Sequence, residues 1–245
     1  MKLTTVLGSV NNNPNYYRFI PIQITFWKKF GINFICVFAG KELPDELNQY
    51  KKNIKLWKSN KKIKSEFLGQ NLRIYFPALL NLPDDEMVMI TDMDMLPTNF
   101  VYYKNGLENF KKEDFIYYRN IDGNQIYMCY NAAHPHTWAE AFKIRNRKDV
   151  RNAIRESYQS NYSGRPGGSG WYSDQLIMYR NLINYPHLQV LGRPVRKLEV
   201  ADYRNKLARG EENFLVHYDD VHFHRSFFNN MKLIEDALKQ LNALY

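Results

Sequence analysis

Two short apolar runs constrain this chain most: residues 33–39 (NFICVFA) and residues 87–91 (MVMIT). Neither alternates apolar with polar side chains. A strand that is apolar at every position is buried on both faces, as in a parallel sheet with helices above and below it. Residues 3–10 read as an earlier strand of that sheet. Helical patterns fall between the strands. Tyr17, Ile20, Ile24 and Trp27 share one face, with Pro21 implying a kink or a late helix start. A second helix is expected over 69–82 on Leu72, Phe76, Leu79 and Leu80, with Pro77 standing against its continuity. Strand, helix, strand, helix, strand predicts an α/β fold with a Rossmann-like, mostly parallel central sheet flanked by helices. Such sheets bind ligands beyond the carboxyl ends of their strands.

After Pro97 the pattern changes. Strands are expected at 115–118 and 125–130, then a helix from Pro135 and a charged helix over 149–157. A Gly- and Ser-rich stretch at 160–170 reads as a flexible loop or a lid. A helix over 171–183, short strands near Gln189 and Phe214, and a closing helix over 231–244 complete the chain. No internal repeat or linker divides its 245 residues, so it reads as a single domain.

A hydrophobic share of 44% is enough to bury a core and excludes general disorder. The net charge of +9 favours anionic partners. The densest basic run, 51–64, reads as a solvated face, or as a weak contact with an anionic membrane surface. Cys36 and Cys129 sit in apolar runs and read as buried strand thiols, with no disulfide framework or zinc cluster. No leader pattern and no apolar run of about 18 residues is seen, so a cytoplasmic protein is expected.

The sharpest chemical feature is Asp92-Met93-Asp94, at the end of the MVMIT run. If the strand continues through it, both carboxylates point one way. They then repel unless a cation lies between them. Oxygen ligands of this kind suit Mn²⁺ or Mg²⁺. Histidines cluster in 217–225 (HYDDVHFHR), where His217, His222 and His224 are further candidate ligands.

Residues 90–95 (ITDMDM) resemble the Asp-x-Asp motif of the GT-A glycosyltransferases, and the chain is similar to the small, single-domain, glycogenin-like or viral members. The resemblance implies a GT-A fold over 1–245, with a nucleotide-binding half (1–96) and an acceptor-binding half (97–245). It implies Mn²⁺ held against the diphosphate of a nucleotide-sugar donor, with UDP as the nucleotide, and a glycan or other hydroxyl acceptor. It implies transfer with retention, and no nucleic-acid partner. Residue by residue, Gly8, Ser9, Val10 and Asn11 would seat the base and ribose, with Tyr16 or Tyr17 stacked on the base. Arg73 would touch the donor. Asp92, Met93 and Asp94 would line the diphosphate, and His217 or His222 would complete the metal site. Asn131 would donate to sugar hydroxyls. Asp174, with Gln175 beside it, would orient the acceptor or act as a base. Arg225 would neutralise the leaving diphosphate. The alternatives are a metal-dependent nuclease or phosphodiesterase, and a non-catalytic glycan-binding module.

Overall fold

The apolar runs form the centre of a seven-stranded sheet, because each sends alternate side chains into a different core. In β4 (Glu86–Ile90), Met87 and Met89 enter one core while Val88 and Ile90 enter the other. The computed structural model describes residues 1–59, 62–165, 167–194, 196–224 and 227–244. Its first strand, β1 (Lys2–Asn11), lies between β4 and β2 (Asn33–Gly40) and is parallel to both. Beyond β2 lies β3 (Ile54–Lys58), also parallel.

Helix α1 (Pro14–Tyr17) and helix α2 (Phe19–Lys29) follow β1. Pro21 is the third residue of α2, inside the first turn, where a missing N–H breaks no helical bond. The late start, not the kink, is therefore what occurs. Helix α3 (Ser65–Tyr75) precedes β4. It ends before Pro77, the second residue of a separate 3₁₀ turn (Phe76–Leu79), so the helix expected over 69–82 is two elements. Strand β3 falls inside the basic run and was not expected there. Ile54 and Trp57 are buried while Lys55 and Lys58 face solvent.

After β4 the chain forms β5 (Met95–Pro97), α4 (Phe100–Lys104), β6 (Phe115–Tyr117) and β7 (Asn131–Ala133). The strand expected at 125–130 is instead a turn. The Asn131 side-chain amide donates back to the Tyr127 carbonyl (2.8 Å), which closes the chain on itself there. Cys129 is thus buried outside a strand, while Cys36 lies in β2 as expected. Helices α5 (Pro135–Phe142), α6 (Arg147–Ser157) and α7 (Ser173–Leu182) lead to β8 (Leu188–Val190). The sheet order is β3-β2-β1-β4-β7-β6-β8, with β7 antiparallel to both its neighbours.

A second sheet sits at one end of the first. It contains β5, β9 (Lys197–Glu199) and, after α8 (Val200–Ala208), β10 (Asp220–His222), in the order β5-β10-β9. The segment near Phe214, expected as a strand, is a 3₁₀ turn (Phe214–His217). Helix α9 (Phe227–Leu244) closes the chain. One core lies under α2 and α9, the other under α3, α5, α6 and α7. No helix among the described residues is long and apolar enough to cross a membrane.

Candidate active site

Asp92 and Asp94 do not continue β4. They lie in a turn between β4 and β5, where the two sheets meet. Their common orientation therefore cannot come from strand alternation and must come from what holds the turn. Three contacts hold it. The side-chain amide of Gln23, fully buried on α2, donates to the carbonyls of Asp92 (3.3 Å), Met93 (2.8 Å) and Met95 (2.8 Å). The Trp27 indole in turn donates to Gln23 Oε1 at 2.8 Å. Met93 packs on β1 at Gly8, where an added Cβ would stand 2.5 Å from its sulfur. Finally, the Phe223 N–H donates to the Asp94 carbonyl at 2.8 Å. Sequence reading missed Gln23, because its partners lie about seventy residues away and it carries no charge.

Arg73 lies buried on α3 and joins two acids. Its Nη1 donates to Asp92 Oδ1 and to the Thr91 carbonyl, and its Nη2 donates to Asp174 Oδ2 at 3.0 Å. Burial alone would raise the Asp92 carboxyl. Arg73 and His222 outweigh it and hold Asp92 below the usual carboxylate range. Asp174 is more deeply enclosed, and burial raises it despite the pull of Arg73. Its other oxygen accepts the Gln175 N–H at 2.9 Å. Each oxygen of Asp174 thus accepts one hydrogen bond, and the buried side chain braces Arg73.

Helix α3 can carry Arg73 into this position because it crosses β1 closely. Gly69 lies where a Cβ would come within 2.7 Å of the Asn11 backbone nitrogen. Ser9 ties the crossing by donating to the Gly69 carbonyl at 2.6 Å and accepting the Arg73 N–H at 3.1 Å. Gly8 and Ser9 are buried and hold the turn and α3 against β1. Val10 is core. Asn11, half-buried, donates to Ser65 Oγ at 3.2 Å. Tyr17 is buried with its ring tilted against Phe38, so it presents no face to a base. Tyr16 is half-buried against the same core.

On the second sheet, His222 pairs in register with Met95 on β5 and with Glu199 on β9. This brings His222 Nε2 to 3.6 Å from Asp94 Oδ2. The distance is too long for a hydrogen bond, but short enough for both atoms to reach one ion. Burial alone would lower the His222 imidazole; Asp94 and Asp92 outweigh it and raise it. His217, by contrast, is exposed at the end of the 3₁₀ turn, and the histidine against Asp94 is His222. Arg225 lies outside the described residues.

Asn131 is fully buried and its amide donates to Tyr127 and Met128, so that group is not left for a sugar hydroxyl. Its Oδ1 and Gln175 Oε1 are buried acceptors without hydrogen-bond partners, the kind of atom that a bound donor group satisfies. In the stretch at 160–170, of which residue 166 lies outside the described residues, Tyr162 is tied to α3 and its N-cap: Lys64 donates to the Tyr162 carbonyl (2.8 Å), and Tyr162 donates to Gln70 Oε1 (2.9 Å).

Past the carboxyl end of β4, Asp94 faces the His222 imidazole across a 3.6 Å gap, while Asp92 is held anionic with its Oδ1 on Arg73; oxygen and imidazole donors of this kind suit a divalent cation.

No protein-family model matches the chain, and no curated protein matches it. Solved structures do. The fold is similar to that of the galactosyltransferase LgtC in complex with donor and acceptor sugar analogs, with a TM-score of 0.51 and 12% identity over 90% of this chain and 87% of that one. It is similar to a glycosyltransferase involved in the glycosylation of the major capsid of PBCV-1 (TM-score 0.50, 11% identity, 96% of this chain and 99% of that one). It is also similar to apo-form GlyE of Streptococcus pneumoniae TIGR4 (TM-score 0.54, 13% identity), of which this chain, matched over its whole length, spans 63%. At such identities the likeness is one of fold. The architecture expected from the sequence, α/β of the GT-A type, is the one observed.

Proposed function

We propose that this chain is a metal-dependent glycosyltransferase that moves a sugar from a nucleotide-sugar donor, with UDP as the nucleotide, to a glycan or other hydroxyl acceptor with retention. The observation that carries this reading is the approach of His222, on β10, to Asp94, in the turn that follows β4 and also holds Asp92, in a fold similar to that of glycosyltransferases. Residues 1–96 supply most of the donor side and 97–245 most of the acceptor side.

In this reading Asp92, Asp94 and His222 hold a Mn²⁺ or Mg²⁺ ion. When bound, that ion supplies Lewis-acid stabilisation to the charge that grows on the leaving diphosphate. The residues of the chain do the rest. Arg73 fixes Asp92 in place and keeps it ionised. Asp174 keeps Arg73 extended toward the turn. Gln23 and Gly8 set the height of the turn against β1. The bond from the anomeric carbon to the diphosphate oxygen breaks, a bond to the acceptor oxygen forms, and the acceptor proton leaves with the released nucleotide. Retention is supported by Asp174. An inverting route needs a base open to the acceptor, and Asp174 is buried and ion-paired with Arg73.

The test is a screen of nucleotide sugars for Mn²⁺-dependent hydrolysis, run on the wild type and on Asp94→Asn. At least one sugar nucleotide should turn over in the wild type, with a loss of about 100-fold or more in the variant. Undiminished Mn²⁺-dependent turnover in Asp94→Asn would defeat the metal assignment.

A further inference from the structure

His222 has two ring nitrogens, and the donor site uses only Nε2. The other, Nδ1, points toward β9, where Glu199 Oε2 stands 3.7 Å away. Glu199 and His222 are register partners on adjacent strands, so their side chains meet on one face. His224 follows two residues later, with its ring centroid 3.8 Å from that of His222. Its Nε2 comes within 2.7 Å of the same Glu199 oxygen. One ligand atom from each of the three residues lies within 4.8 Å of the others.

Ordinary polar packing does not account for this convergence. Glu199 Oε2 and His222 Nδ1 are buried, and neither has a hydrogen-bond partner. The close approach of His224 to Glu199 lacks the alignment of a hydrogen bond, since Oε2 remains unsatisfied despite it. The other Glu199 oxygen is held by Lys197 at 2.5 Å, which leaves Oε2 as the available donor. Two imidazole nitrogens and one carboxylate oxygen thus face a common point.

We propose that Glu199, His222 and His224 form a second divalent-metal site, of the class that takes Zn²⁺ or Co²⁺ in tetrahedral coordination. Two histidines and one carboxylate are a zinc donor set that leaves a fourth position for water or an exogenous ligand. His224 is about half exposed, which gives the ion access from solvent. The site stands on its own atoms and does not depend on sugar transfer. One consequence does rest on that reading: the two sites share the His222 ring, so an ion on Nδ1 leaves the proton on Nε2 and opposes cation binding at Asp94.

The experiment is a Co²⁺ titration of the full chain followed by the visible absorption of tetrahedral cobalt. Four proteins are compared: wild type, Asp92→Asn with Asp94→Asn, His224→Ala and Glu199→Gln. The tetrahedral spectrum should appear in the wild type and persist in the Asp92/Asp94 double variant. It should weaken more than about 100-fold in affinity in His224→Ala and in Glu199→Gln, because even outer partners of a metal ligand are worth 10–100-fold. The circular dichroism of both variants checks that they remain folded, and His224, being half exposed, is the milder change. An absent spectrum in the wild type overturns the proposal. So does a spectrum lost with the aspartates but kept without His224. Failure of Mn²⁺-dependent turnover would leave the cobalt spectrum unchanged, so the two readings fail separately.

Discussion

At the scale of single residues, the site is built from buried charges that depend on one another. Arg73 is held by two carboxylates in a place where water does not replace a lost partner. Removing one partner from a buried pair costs about 3–5 kcal/mol. Asp174→Asn should therefore lower the melting temperature by roughly 6–20 °C, at the 2–4 °C per kcal/mol usual for a chain of this size. Asp94→Asn should lower it far less, because its ion-pair contact is a 3.6 Å approach to His222. Differential scanning calorimetry of the two variants separates the brace from the ligand. Equal melting temperatures would show that Arg73 does not need Asp174.

Asp220 gives a pH test. It is fully buried against Arg119 (3.2 Å) and the Tyr130 hydroxyl (3.1 Å), with Oδ1 unpartnered, and burial pushes it up to about 6. The folded chain thus binds this proton more tightly than the unfolded one. The stability contributed by neutral Asp220 is complete below pH of about 4 and is lost as pH rises through about 6, roughly 3 kcal/mol in all. Urea unfolding across this range in the presence of a chelator should show that decline in the wild type, and Asp220→Asn should flatten it. The acids at 92 and 94 were legible in the sequence because they follow an unmistakable strand. The links of Arg73 to Asp174 and of Gln23 to the turn were not, since each joins residues about seventy to a hundred positions apart.

At the scale of elements, close crossings decide where the site residues stand. Helix α3 reaches Asp92 only because Gly69 lets it lie against the end of β1. Gly69→Ala should destabilise by about 1–3 kcal/mol through overpacking, even though alanine is the better helix former. It should also weaken Mn²⁺ binding by tilting Arg73, which isothermal titration would detect. A gain in stability would mean that β1 can yield. Strands β1, β2 and β4 were legible because burial on both faces makes their sequences wholly apolar. Strand β3 was hidden because an edge strand needs little apolar cover, and its lysines read as surface. The turn at 125–130 looked like a strand because its apolar side chains serve the core without pairing. Which histidine faces Asp94 depended on the pairing of β10 with β5, three residues long, and no local pattern reveals it.

At the scale of the whole molecule, two cores clamp one sheet, and the Asp92–Asp94 turn lies where that sheet meets the smaller one. Ligands at that junction should stabilise the entire fold. At a hundred times its dissociation constant a ligand adds about 2.7 kcal/mol, a rise of roughly 5–11 °C in melting temperature. UDP with Mn²⁺ should produce this shift, while UDP with chelator and Mn²⁺-matched oligonucleotides should not. A shift with oligonucleotides alone would favour the nuclease alternative.

Because β10 meets β5 and β9 through three residues each, the length of chain between those strands matters less than their alignment. One residue added in the mostly exposed turn at 209–213 would lengthen a surface connection and leave every ligand atom where it is. One residue added between Asp220 and His222 would turn the imidazole to the far side of its strand. The molecule can thus vary freely in the loops that bring its distant parts together, while its chemistry hangs on a seam three residues long.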